Sequence, residues 1–85
     1  MQKYKLEIRA VKTSNTPEQQ MYKVDEEQSE VKEAFSYSSD IVRITEELCD
    51  LIQACFTMLA MYGDIEDIWG KHLDKMDSRG WMERI

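Results

Sequence analysis

Eighty-five residues make one domain, and a chain this short buries only about 60–65% of its unfolded surface, so association between copies is one way to complete its core. A net charge of −6 excludes bulk binding to a nucleic-acid backbone, which needs an excess of Lys and Arg. A small phosphorylated ligand stays compatible with this charge if cations mediate the contact.

The opening MQKYKLEIRA is charged and lacks the apolar core of a signal peptide. Tyr4, Leu6, Ile8 and Ala10 alternate as a strand would, while Tyr4, Ile8 and Val11 also fit a helix. A lone strand exposes its backbone groups, so a helix over about 2–12 is expected. Thr13 to Pro17 then break the pattern. Thr16 can cap the next helix, Pro17 suits its first turn, and Gln19 completes a capping box. The helix that follows, about 17–35, carries Met21, Val24, Val31 and Phe35 as its expected buried stripe, with Glu27 on the flank and Glu30 further round.

Ser36 to Asp40 form a polar connection ending in a good cap. The helix over about 40–62 carries a stripe of Ile44, Leu48, Leu51, Cys55, Met58, Leu59 and Tyr62, with Glu47 at its edge and Asp50 beyond. Val42, Cys49, Phe56 and Ala60 make a second apolar side, the pattern of a central helix with neighbours on more than one side. In so small a chain, some of those neighbours are expected to belong to another subunit. The longest apolar run, Leu48 to Tyr62, includes Asp50 and Gln53 and falls short of the ~20 residues of a membrane span.

Cys49 and Cys55 lie about 9 Å apart along one helix axis and point in different directions, so they cannot bridge each other. No CxxC or Cys/His cluster accompanies them, which argues against zinc and redox chemistry. Buried reduced thiols in a soluble, cytoplasmic protein are the expectation. Gly63 ends the long helix and Asp64 caps the last one, about 64–78. Ile65, Ile68, Trp69, His72, Leu73 and Met76 make its apolar side, Arg79-Gly80 ends it, and Trp81 and Ile85 are expected to fold back or meet a partner. Four helices with short loops indicate an all-α bundle.

Glu27 with Glu30 and Glu47 with Asp50 repeat one three-residue step. On a helix that step sets two carboxylates on one face, about 5–6 Å apart at Cβ. Two such helices side by side would make a metal site. Half-buried carboxylates need a counter-ion, and oxygen-only ligands point to magnesium, with manganese as a substitute. The competing reading is an ordinary solvated acidic face, in which Lys71, Lys75 and Arg79 pair with Asp67, Asp74 or Asp77 and His72 is a packed residue.

The run EEQSEVKEAF from Glu26 to Phe35, followed by EELCDLI from Glu46 to Ile52, resembles the ExxE and ExxD pairs of the MazG-like, all-α nucleoside triphosphate pyrophosphohydrolases. PEQQMYKV before it and KHLDKMDSRGW after it, from Lys71 to Trp81, also look like that family, so the resemblance spans roughly residues 16 to 81. It implies a helical bundle completed as a dimer, or as a tetramer built from dimers. It also implies magnesium-dependent cleavage of a nucleoside triphosphate between the α and β phosphates, giving the monophosphate and pyrophosphate. Carried over by position, Glu27, Glu30, Glu47 and Asp50 are the expected metal ligands and Lys71, Lys75 and Arg79 the expected phosphate contacts; for the chemistry of that reaction, Glu30 or Glu47 is the expected acceptor of the water proton. The chain is shorter than many members of that family and shows no obvious base-reading pocket. Two alternatives stand beside the enzyme: a non-catalytic helical interaction protein that keeps the fold, and a hydrolase of another diphosphate-containing metabolite.

Overall fold

A computed structural model describes residues 4–80, and all regular structure in that range is helical: α1 (Pro17–Tyr37), α2 (Ile41–Ala60) and α3 (Ile65–Ser78). Each helix starts where a side chain accepts its first free amides. Thr16 Oγ1 accepts from the Gln19 N–H at 3.2 Å while Gln19 Oε1 accepts from the Thr16 N–H at 2.9 Å, closing the capping box. Asp40 and Asp64 do the same for α2 and α3, accepting from Val42 and Glu66 at 3.0 and 2.9 Å. Gly63, between α2 and α3, has φ +151°, a backbone conformation that a side chain would strain. The chain bends there by 112°.

The three-residue link between α1 and α2 makes them an antiparallel pair, and theirs is the one extensive helix contact among the described residues. The contact is made of small and polar groups. Ala34 and Ala54 are the only fully buried apolar residues described, joined by Gln20, Glu27 and Thr57. The Gln20 amide reaches across and donates to the Ala54 carbonyl at 3.1 Å. Small side chains let the two backbones approach closely enough for that bond.

Two expectations about faces are corrected here. On α1, Met21 and Phe35 are exposed, Phe35 by 74%, and the buried row runs instead through Gln20, Val24, Glu27, Val31 and Ala34. On α2, Glu47, Asp50, Ala54 and Thr57 lie on the side facing α1. Of the expected stripe, Ile44, Leu51, Met58 and Leu59 are half-buried, whereas Leu48, Cys55 and Tyr62 are exposed, Tyr62 by 65%. Cys49 and Cys55 are free, as expected, but both are exposed rather than buried.

The helix expected over 2–12 does not form in its described part. Residues 4–16 run without helical structure, and two of their backbone groups find partners on α2. The Val11 N–H donates to Thr57 Oγ1 at 3.1 Å, and the Gln53 amide donates to the Arg9 carbonyl. Asn15 adds a donation to Gln20 Oε1 at 3.1 Å. Tyr4, Leu6 and Ile8 alternate onto one side of this strap and face α2. Residues 2 and 3 of the expected helix, together with Trp81 and Ile85, lie outside the described residues. No single described helix is long and apolar enough to cross a membrane.

Candidate metal centre

The capped, antiparallel pairing of α1 and α2 brings the acidic steps together at mid-length. Glu27, Glu47 and Asp50 each place a carboxylate oxygen within 4.8 Å of the others, and Glu26, Glu27 and Glu30 do likewise. Glu27 belongs to both groups. Its side chain is only 7% exposed, whereas Glu30 and Glu47 are half-buried and Asp50 is open to solvent.

One cation is already present. Lys23, one turn before Glu27 on α1, holds its Nζ 2.7 Å from Glu27 Oε1 and 3.8 Å from Glu26 Oε1. The hydrogen bond to Glu27 raises the Lys23 pKa above its ordinary value. The second oxygen, Glu27 Oε2, is buried with no hydrogen-bond partner, and so is Glu47 Oε2. An orphaned buried acceptor costs about 1–3 kcal/mol, more when charged. Glu30 feels the same crowding: the Glu27 charge first, then burial, then Glu47 across the helix contact raise its pKa. Five acids, Glu26, Glu27, Glu30, Glu47 and Asp50, gather around one ammonium, and two of their oxygens have no protein donor. Hard-cation ligation by carboxylate oxygens fits this donor set.

Beside the cluster lies a cavity of about 400 Å³. Lys23, Glu27 and Asp50 border it on one side, and Asn15, Gln53 and Thr57 on the other, so the N-terminal strap forms part of its wall. No described residue of α3 lines it. Lys71 pairs with Asp67 on its own helix at 3.2 Å, and Lys75 is exposed in the last turn. Neither Lys71 nor Lys75 lines the cavity beside the acidic cluster.

Sequence reasoning missed Lys23 and the amides Asn15, Gln20 and Gln53. The Lys23–Glu27 spacing of four residues is a legible signal, whereas the amides are placed by the strap. No family model, characterised protein or solved structure matches this chain.

Proposed function

We propose that the chain is a magnesium-dependent nucleoside triphosphate pyrophosphohydrolase, cleaving between the α and β phosphates to release the monophosphate and pyrophosphate. The observation that carries this reading is the pair of buried, unpartnered oxygens on Glu27 and Glu47 where two carboxylate groups meet. The reaction and the substrate come from the resemblance of the ExxE and ExxD runs. Glu27, Glu30, Glu47 and Asp50 would hold magnesium, or manganese in its place. Bound there, the metal would neutralise the triphosphate and lower the pKa of a coordinated water.

Glu30 and Glu47 are the groups for the water proton, and the neighbouring charge of Glu27, which raises the Glu30 pKa, makes Glu30 a stronger base than an ordinary glutamate. Lys23 supplies Glu27 with an ammonium partner when no substrate is bound. The phosphate role of Lys71, Lys75 and Arg79 rests on the resemblance alone. Two unpaired thiols fit a cytoplasmic enzyme of nucleotide pools.

One observation favours the second reading, a non-catalytic helical interaction protein: Lys23 already supplies a countercharge to Glu27, as a structural ion pair would. Pyrophosphate release decides between them. Purified protein is offered canonical and modified nucleoside triphosphates with magnesium, manganese or chelator. Release of monophosphate and pyrophosphate that vanishes with chelator is the expected result. A folded protein that releases none across the panel would sink the enzyme reading for these substrates.

A further inference from the structure

We propose, resting on the pyrophosphohydrolase reading, that Lys23 is a phosphate-binding residue of the site, passed from Glu27 to the substrate when a divalent cation takes that carboxylate. The contact lies outside the acidic runs and outside the basic row of α3. Among the described residues Lys23 is the one basic side chain that lines the cavity of about 400 Å³ beside the cluster. Lys71, by contrast, spends its charge on Asp67 of its own helix.

Two features of the cavity wall fit a ligand that brings both metal and phosphate. Glu27 borders it with a side chain only 7% exposed, and the Oε2 of that side chain has no hydrogen-bond partner. The strap adds hydrogen-bond donors that the protein leaves unspent. Thr13 Oγ1 accepts from the Asn15 N–H at 3.1 Å, which leaves its own hydroxyl hydrogen over. Asn15 Nδ2 gives one hydrogen to Gln20 Oε1 at 3.1 Å and keeps the other. Both residues line the cavity with Lys23. An ammonium, a hydroxyl and an amide N–H around one space suit phosphate oxygens.

Charge sets the order of binding. Lys23 Nζ sits 2.7 Å from Glu27 Oε1 and 3.8 Å from Glu26 Oε1, among carboxylates that repel a bare phosphate. A divalent cation on Glu27 reverses this. It opposes the ammonium with like charge at close range, and Lys23 then needs another anion. The lysine is 46% exposed on a flexible stem, so it can swing without moving α1. Phosphate drawn in by the metal is the anion at hand.

Binding rather than turnover tests this, so the contact and the hydrolysis can fail separately. Inorganic pyrophosphate is titrated into the full chain by calorimetry, with magnesium or with chelator. The unaltered chain should bind it with magnesium and not with chelator. Lys23→Gln should weaken that binding by about 10–100-fold, the effect of one charge-assisted hydrogen bond, with magnesium alone bound at least as tightly as before. Lys23→Arg, which keeps the cation, should restore most of the affinity. Lys32→Gln removes an exposed charge from the same helix outside the cavity and should change binding by less than about twofold. Should Lys23→Gln fail to fold, acetylation of the unaltered chain decides: pyrophosphate with magnesium should slow it at Lys23 relative to Lys32, and equal slowing at both, or at neither, would overturn the proposal. A folded Lys23→Gln that binds pyrophosphate as the unaltered chain does would overturn it and leave the hydrolase reading standing. Absence of magnesium-dependent binding by the folded, unaltered chain would overturn it as well. Lys23-dependent binding in a chain that hydrolyses no nucleoside triphosphate would keep the contact and remove the enzyme.

Discussion

Lys23 Nζ stands 2.7 Å from Glu27 Oε1, while the other oxygen of the same carboxylate is buried without a partner. The two residues are one helical turn apart, so this half-answered charge follows from local geometry. Burial of the unanswered half does not: it needs α2 laid across Glu27 with its own acids facing inward. An ion pair and a vacant acceptor on one side chain leave room for a second cation at the site.

Glu47→Gln removes a charge and one unpartnered carboxylate oxygen while keeping the side chain's shape. Magnesium-dependent turnover and any rise in melting temperature on adding magnesium should both disappear, with helical content unchanged by circular dichroism. Full activity in this variant would remove the α2 half of the proposed centre.

Lys23→Met leaves the buried Glu27 side chain without its ammonium partner. Because the lysine is 46% exposed, screening holds the loss to about 0.5–1 kcal/mol in metal-free protein. Urea unfolding with chelator and with magnesium checks this. Magnesium should restore more stability to the variant than it adds to the unaltered chain, and an equal gain in both would show that cation and lysine do not share Glu27.

The Glu30 carboxyl titrates above its ordinary 4.5, so its ionised form is disfavoured in the folded chain. This contribution is absent at pH values below the unfolded glutamate range and grows as pH rises through the raised value. Metal-free protein should lose stability from this source as pH rises from the ordinary glutamate value through the raised one, and Glu30→Gln should flatten that part of the profile. Melting curves across this range in chelator measure it; superimposable profiles would contradict the crowding of Glu30.

Thr57→Val keeps the shape of a buried residue but deprives the Val11 N–H of its acceptor. The strap should loosen at a cost of about 1 kcal/mol. Amide exchange at Val11 should then quicken about fivefold, in line with that energy, while α1 and α2 exchange as before. Unchanged exchange at Val11 would show that the strap is held by other contacts.

Local chemistry made much of this protein legible from its sequence. Caps at Thr16, Asp40 and Asp64 act within three residues of themselves, and the helices begin where those residues stand. The steps Glu27–Glu30 and Glu47–Asp50 are likewise properties of single helices, so the acids that converge could be named in advance. Helical periodicity groups residues into faces, but it does not say which face meets which neighbour. Tertiary packing decided that: Ala54 and Thr57 admit a close approach of α1 and a bond from Gln20, so the small, polar side of α2 went inward, leaving Ile44, Leu51 and Met58 half-buried and Leu48, Ile52 and Tyr62 exposed. Residues 4–16 became a strap for the same reason, since their backbone partners Gln53 and Thr57 lie more than forty positions away and exist as partners only once α2 is in place.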